Sequence, residues 1–247
     1  MRAAIQISGE FRCLHLSLES FQTHVLNNLQ EQGYTEIYIF CHCWKKDEFD
    51  LETYPFEGRD DWHKRIPVFS SEQGLSIFKP IDYIFENLED VEILKGRSRV
   101  LCMYYSIWMA NKIRQQFEED HKVQFDLVIR YRTDLILEAN LLNDKPDASS
   151  FLVIPKSTLV ETCDGPFDFK DDLHICDYIA YGTPDTMNVY CSVFETWVHI
   201  PETPIGESCL AIHLKKSGVK ALRTPVPFYL VEGNGTKRGV IENTPIE

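Results

Sequence analysis

Three charged residues alternate along one segment of the chain and are the first candidates for chemistry. Arg130, Arg132 and Asp134 follow directly on the apolar residues 127–129. In an extended segment they would share one face, where two guanidinium groups and a carboxylate are costly to bury without partners. One interpretation is an internal ladder of ion pairs. The other is a site for a charged ligand, in which the arginines bind phosphates and Asp134 binds a divalent cation or a sugar hydroxyl.

A short turn near the N-terminus is a second candidate. Ser8, Gly9 and Arg12 follow the apolar run 3–7. Gly9 would let a backbone N–H approach a ligand closely, and the Arg12 guanidinium can bind a phosphate through two hydrogen bonds. The alternative is a plain turn with a surface arginine. Because the turn contains a single glycine, it lacks the G-x-G-x-x-G pattern of dinucleotide-binding dehydrogenases.

Four further residues have side chains suited to a ligand site. Trp44, just after His42 at the end of a strand, can stack on a flat ring or can cover the core. Asp177 lies in an apolar segment and needs either an arginine partner or a raised pKa if it is buried. Glu207 begins a helix, where an acid also has the plain role of favouring the helix dipole. Asp177 and Glu207 are the candidates for a carboxylate that takes a proton from a reacting hydroxyl.

Alternating strand and helix patterns must position these residues. Strands are predicted at 3–7, 36–43, 81–85, 125–137, 151–154, 175–181 and 227–231, and helices at 16–29, 99–121, 183–198 and 207–216. The first three elements in sequence form a β-α-β unit, which implies parallel pairing. The predicted fold class is therefore α/β, with a mostly parallel central sheet flanked by helices. Ligands bind at the carboxyl ends of the strands of such sheets, so we expect the candidate residues at one edge.

Composition excludes several classes of protein. The chain has 247 residues and a formal net charge of −13, which argues against nucleic acid or an anionic membrane surface as its main partner. No segment approaches the roughly 18 apolar residues of a membrane helix, and the first residues lead us to expect no secretory signal. We expect a cytoplasmic protein with reduced cysteines and at most peripheral membrane contact. Cys41 and His42 would point to opposite faces of a strand, so a zinc site is not expected.

Six stretches match, in order, patterns that occur together in one group of proteins. Residues 125–135 resemble the pattern YDxVIRxRxDL and are the most specific match. The other stretches are 8–12 (SGxxR), 40–44 (F-x-H-x-W), 103–107 (the helix before the central strand), 176–182 (SDxxxxG) and 206–207 (a late PE). On these residues the chain resembles bacterial and viral glycosyltransferase-like proteins of surface-polysaccharide loci, among them the WavE-type lipopolysaccharide synthesis proteins.

The resemblance implies a fold, a domain division and an activity. The fold would be GT-A-like, that is, Rossmann-like, in a single domain spanning 1–247. Residues 1–135 would bind a nucleotide sugar, 136–230 would bind the acceptor, and 231–247 would form a flexible tail that covers the diphosphate with Lys237 and Arg238. The activity would be transfer of a sugar from a nucleotide-sugar donor to a glycan or lipid-linked acceptor in polysaccharide biosynthesis.

The resemblance also suggests how the donor is bound. Asp134 would occupy the place of the Asp-x-Asp motif that holds Mn²⁺ or Mg²⁺ on a diphosphate. Arg132 stands where the first Asp would be, so the arginine itself can neutralise phosphate. The expected donor-binding residues are Ser8, Gly9, Arg12, His42, Trp44, Arg130, Arg132 and Asp134. Two alternatives stay open: a non-catalytic nucleotide-sugar-binding protein, and an enzyme resembling the sugar-nucleotide pyrophosphorylases.

Overall fold

A seven-stranded sheet runs through the centre of the protein in the computed structural model. The structure describes residues 1–53, 65–142, 152–155, 175–200, 206–219, 221–224, 226–231 and 237–238. The strands within these ranges are β1 (Arg2–Gly9), β2 (Glu36–Trp44), β3 (Asp50–Thr53), β4 (Arg65–Val68), β5 (Asp82–Glu86), β6 (Leu127–Tyr131), β7 (Leu135–Leu137), β8 (Leu152–Pro155), β9 (Ile179–Gly182), β10 (Ala221–Thr224), β11 (Phe228–Val231) and β12 (Lys237–Arg238).

Strand direction brings the ends of most central strands to one edge. The order across the sheet is β10-β8-β9-β6-β1-β2-β5. Neighbours from β6 to β5 pair in parallel, as do β10 and β8, whereas β9 runs antiparallel to both of its neighbours. We call the edge formed by the last residues of β1, β2 and β6 (Gly9, Trp44 and Tyr131) the carboxyl edge; β9 begins there. The predicted α/β class with a mostly parallel sheet is confirmed.

Helices cover both faces of this sheet. They are α1 (Leu14–Ser20), a π-helical segment (Phe21–Asn27), α2 (Asn28–Glu31), α3 (Ser71–Phe78), α4 (Arg99–His121), α5 (Pro184–Cys191), α6 (Val193–Trp197) and α7 (Gly206–Ser217). Within the described ranges, none of these helices has the length and apolarity that a membrane crossing requires. The predicted helix at 99–121 is confirmed as α4, and the predicted helix at 207–216 is confirmed as α7.

Side-chain alternation along the strands separates the two helical layers. On one face, Phe21 of the π-helical segment packs against Tyr131 of β6 and Phe78 of α3, with ring centroids 4.8 and 5.3 Å apart. On the other face, Phe40 of β2 packs edge-on against Phe117 of α4 at 5.4 Å. Arg130 precedes Tyr131 in β6 and therefore points toward the α4 layer. Ser8 of β1 and His42 of β2 lie on the same face of the sheet as Arg130.

Two predicted strands are wrong in extent, and both differences bear on the site. The strand expected at 125–137 breaks after Tyr131, because residues 132–134 turn and β7 leaves the central sheet to pair with β11. Arg130, Arg132 and Asp134 therefore do not lie along one extended segment. The strand expected at 175–181 is reduced to β9, and Asp177 lies just before it. Since β9 is antiparallel, its start reaches the carboxyl edge, where Asp177 meets the end of β6.

Helix α3 fixes the turn that follows β1. An ideal Cβ at Gly74 would lie 2.1 Å from ring atoms of Phe11, closer than any side chain tolerates. Phe11 is buried and also contacts Phe78 and Phe85, with ring centroids at 5.8 and 6.1 Å. Gly74 therefore lets α3 approach the Phe11 ring closely. Because Phe11 immediately precedes Arg12, this packing also fixes where the Arg12 backbone leaves the sheet.

We expect Gly74→Ala to lower the free energy of unfolding by about 1–3 kcal/mol, because the added methyl group overpacks the Phe11 ring. This outcome runs against helix propensity, which favours alanine by about 1 kcal/mol. Urea titration at neutral pH measures the change. Ser76→Ala, at an exposed position of the same helix, is the matched control and should change stability little. A Gly74→Ala protein as stable as the wild type would contradict the close packing.

Candidate functional site

The carboxyl edge brings together most of the residues predicted for a ligand site. Gly9 and Trp44 end β1 and β2, the turn after β6 carries Arg132 and Asp134, and Asp177 precedes β9. These groups come from segments far apart in the chain. The edge therefore combines cationic, acidic and aromatic side chains on neighbouring strands, which is the arrangement expected of a ligand site in an open sheet.

Arg132 and Asp134 form a two-pronged ion pair in the turn after β6. Arg132 Nε donates to Asp134 Oδ1 at 2.6 Å and Nη2 donates to Oδ2 at 2.9 Å. Burial alone would raise the pKa of Asp134, but the charge and hydrogen bonds of Arg132, with the charge of Arg12, hold it below its usual value. The Arg132 side chain remains 22% exposed and lies 5.0 Å from the centre of the Tyr178 ring. One face of the guanidinium is thus covered by an aromatic ring, and part of the side chain remains in contact with solvent.

Arg12 forms an ion pair with Glu10 in the turn after β1. Its Nε donates to Glu10 Oε2 at 2.8 Å, and its side chain is also 22% exposed. The backbone N–H of Arg12 donates to Thr133 Oγ1 at 3.1 Å, and that hydroxyl donates to the Glu10 carbonyl at 2.8 Å. Thr133 therefore ties the turn after β1 to the turn after β6. Both arginine side chains are partly exposed, and the charge of each acts on Asp134.

Arg130, in contrast, lies in the interior. It is 1% exposed, its Nη1 donates to the Tyr131 carbonyl, and Nε has no hydrogen-bond partner among the described residues. Burial lowers the pKa of Arg130, against opposing effects that include Tyr190 and Asp177. Arg130 is therefore better explained as an internal charged residue than as a residue that contacts a phosphate. Of the two alternating arginines, Arg132 is the one that reaches the surface.

Asp177 lies between the arginines and the beginning of α7. It is buried, and its charge acts on both Arg130 and Arg132. An ideal Cβ at Gly206 would lie 3.3 Å from Asp177 Oδ2, so the first turn of α7 approaches the carboxylate closely. The positive end of the α7 dipole favours a carboxylate there. Glu207 is the next residue of α7, but its side chain lies outside the described part of the structure.

Gly9 and His42 are joined through Ser106 of helix α4. The Gly9 N–H donates to Ser106 Oγ at 2.8 Å. The expectation that this N–H is directed at a ligand is therefore wrong. His42 Nδ1 also lies 2.8 Å from Ser106 Oγ, and Nε2 lies 2.8 Å from Glu86 Oε2. A carboxylate accepts only, so the proton of a neutral imidazole is on Nε2. Trp44, expected at the site, packs edge-on against His42 with ring centroids 5.3 Å apart.

Sequence reasoning missed four residues that hold the site together. Glu86 binds His42, Tyr105 donates to Glu86 Oε2 at 2.9 Å, Ser106 links two strands, and Thr133 links two turns. Glu86 directly follows the strand expected at 81–85, so its position at a strand end was a usable signal. Tyr105 and Ser106 lie within the matched stretch 103–107. The apolar pattern of a helix does not predict which polar groups of the sheet these side chains contact.

A divalent cation at Asp134 does not fit the described residues. Both carboxylate oxygens already accept hydrogen bonds from Arg132. Over the parts of the chain that the structure describes, no three histidine, cysteine, aspartate or glutamate side chains come together as a metal-binding group. Arg132 already supplies the positive charge that Mn²⁺ or Mg²⁺ would supply to this carboxylate.

Comparisons with known proteins gave matches among solved structures. No protein-family model and no curated protein matches the chain. The galactosyltransferase LgtC, in complex with donor and acceptor sugar analogues, is 12% identical, with a TM-score of 0.43 over 90% of this chain and 73% of that one. A glycosyltransferase involved in the glycosylation of the major capsid of PBCV-1 is 11% identical, with a TM-score of 0.41 over 91% and 82% of the two chains. A mutant of Drosophila β1,4-galactosyltransferase 7, in complex with manganese, UDP-Gal and xylobiose, is 14% identical, with a TM-score of 0.38 over 98% and 71%.

We expect the free energy of unfolding to fall as the pH drops below about 6.5. Burial lowers the pKa of His42 in the folded state, so the unfolded chain binds the proton first. His213 acts in the same direction because its burial also lowers its pKa. The loss is at most about 1.4 kcal/mol per pH unit for each histidine.

Urea titrations at about pH 7 and about pH 5 measure this loss as a difference in unfolding free energy. The His42→Gln variant should lose less stability between the two pH values than the wild type, because glutamine does not titrate. Equal losses in the two proteins would contradict the assignment of a neutral, buried His42.

Proposed function

We propose that this protein is a glycosyltransferase that binds a nucleotide-sugar donor at the carboxyl edge. The observation that carries the proposal is the presence of two partly exposed arginine side chains, Arg12 and Arg132, whose charges both act on Asp134. Guanidinium groups bind phosphate oxygens through paired hydrogen bonds. The sequence resemblance supports a glycan or lipid-linked acceptor and a role in polysaccharide assembly in the cytoplasm.

The two ion pairs suggest how the site accommodates an anion. In the ligand-free protein, Asp134 accepts from Arg132 through both of its oxygens, as a phosphate can, and Glu10 accepts from Arg12 through Oε2. A diphosphate replaces these carboxylates as acceptor, so the arginines need little rearrangement. Transfer breaks the bond between the sugar carbon and the diphosphate oxygen, and preorganised cations stabilise the negative charge that develops on that oxygen. Arg132 supplies this charge in place of Mn²⁺ or Mg²⁺.

A carboxylate must also accept the proton that the acceptor hydroxyl releases as its oxygen bonds to the sugar carbon. Asp177 is supported for this role by its place at the carboxyl edge, close enough to Arg132 for their charges to interact. A cationic side chain, that of Arg132, and the first turn of α7 both lie near this carboxylate. Glu207, the next residue after Gly206, is the second candidate.

We expect Arg132→Gln to weaken binding of a nucleoside diphosphate by about 10- to 100-fold, because it removes a charge-assisted contact. Calorimetric titration with UDP, GDP, ADP and CDP measures this, with and without EDTA. Arg2→Gln removes an arginine at the opposite edge of the sheet and is the matched control. Binding that disappears with EDTA would contradict the role given to Arg132. No binding of any of the four by the wild type would contradict the proposed function.

We expect Asp177→Asn to lower the rate of sugar transfer or donor hydrolysis by about 100- to 10,000-fold, because the variant cannot take up the proton. Donor affinity and the near-ultraviolet circular dichroism spectrum should stay close to those of the wild type, which separates loss of the base from misfolding. Glu207→Gln, measured in parallel, tests the other carboxylate. Wild-type turnover in Asp177→Asn would remove Asp177 from the mechanism. Donor binding without turnover in the wild type would favour a non-catalytic binding protein.

A further inference from the structure

A fixed carboxylate lies at the carboxyl edge, outside the residues proposed to bind the diphosphate. Glu86 ends β5 and is 30% exposed. Its Oε2 accepts hydrogen bonds from His42 Nε2 at 2.8 Å and from Tyr105 Oη at 2.9 Å. None of the described residues donates a hydrogen bond to Oε1. Two donors on one oxygen hold the group in a single orientation, and the other oxygen stays available to a ligand.

A flat aromatic ring stands beside this carboxylate. Trp44 is opposite Glu86 in the register of β2 and β5, so the two side chains emerge on the same face of the sheet. Its ring is nearly parallel to that of Tyr105, with an angle of 15° and centroids 5.8 Å apart. His42 meets it edge-on. Trp44 is half-buried, so it is held in place yet partly open to solvent.

An unsatisfied hydroxyl points independently to a ligand on this face. Ser8 is 5% exposed, and its Oγ has no hydrogen-bond partner within the described residues. It is paired with His42 in the register of β1 and β2. A buried hydroxyl without a partner is costly and is usually satisfied by water or a ligand. Next to it, no atom of the described residues lies within 4 Å of the place where a Cβ at Gly9 would be, so this part of the surface is open among them.

The strand order sets the distance between this carboxylate and the arginines. β5 and β6 are three strand spacings apart, which is about 14 Å. Gly9, at the end of β1, lies between them. A ligand whose diphosphate contacts Arg132 can therefore extend across the open surface at Gly9 toward Glu86.

We propose that Glu86 and Trp44 form a subsite for the hydroxyl groups of a carbohydrate ring. Oε1 of Glu86 accepts hydrogen bonds from the hydroxyls, and the Trp44 ring packs against the apolar C–H face of the sugar. The ring is either the ribose of the nucleotide or the sugar that the nucleotide carries. This inference rests on the proposed function, because it takes the ligand to be the donor.

Calorimetry on Glu86→Gln tests the subsite and distinguishes the two rings. Glutamine keeps the size of the side chain and an oxygen that accepts from His42 and Tyr105, so the fold should persist. The probes are UDP, 2′-deoxy-UDP and UDP-glucose, or the corresponding set for whichever nucleoside diphosphate binds the wild type most tightly. Glu89→Gln, an exposed glutamate on the following turn, is the matched control. Trp44→Leu tests the ring while keeping apolar bulk.

If the subsite holds the ribose, Glu86→Gln and the 2′-deoxy ligand each reduce affinity about tenfold, and the two losses do not add because they remove the same hydrogen bond. If it holds the transferred sugar, Glu86→Gln leaves UDP affinity unchanged and lowers that of UDP-glucose. Wild-type affinity of Glu86→Gln for all three probes would overturn the subsite. A wild type that binds no nucleoside diphosphate would instead overturn the proposed function.

Discussion

The site depends on how guanidinium groups are kept ionised, oriented and accessible at the end of a sheet. An arginine side chain at a strand end keeps one orientation only if an acceptor binds its guanidinium group; otherwise the side chain extends into solvent. Glu10 and Asp134 provide those acceptors within two residues of Arg12 and Arg132. Thr133 then joins the two turns, since its hydroxyl bonds to the backbone on both sides of Phe11. These local contacts tie together two turns that each carry a partly exposed arginine, in a protein that is acidic overall.

Helix α4 connects this arrangement to the rest of the fold through three consecutive residues. Tyr104 donates to the carbonyl of Gly206 at the start of α7, Tyr105 donates to Glu86 at the end of β5, and Ser106 accepts from Gly9 at the end of β1. Because successive helical residues point about 100° apart, three different partners can be reached from one turn. Helix α4 therefore positions the ends of β5 and β1 and the start of α7, next to Asp177, relative to one another.

Much of the architecture follows from patterns that a single sequence carries. Short apolar runs ended by turn residues predict β1 and β2, and an uninterrupted helical pattern predicts α4 with the bounds that the structure has. The sequence also indicates that Arg132, Asp134 and Trp44 lie near one edge, since strand ends in a parallel sheet meet there. The assignment to WavE-type proteins and the division of the chain into donor and acceptor halves stay predictions.

The remaining features depend on pairings between distant segments. Nothing in residues 175–181 distinguishes a parallel from an antiparallel strand, yet the reversed direction of β9 decides that Asp177 lies at the site. The break after Tyr131 goes with the departure of β7 from the central sheet to pair with β11, a strand about 90 residues further along the chain. Glu86 acquires its importance only through His42 and Tyr105, and Arg130 is buried because α5 covers it.

A crystal structure of the protein soaked with a nucleoside diphosphate is the most direct measurement of the central claim. We predict that the diphosphate lies at the carboxyl edge with its oxygens on the guanidinium groups of Arg132 and Arg12, and that Asp134 no longer accepts both hydrogen bonds from Arg132. A diphosphate bound elsewhere, with both arginines still paired to Glu10 and Asp134, would contradict the account.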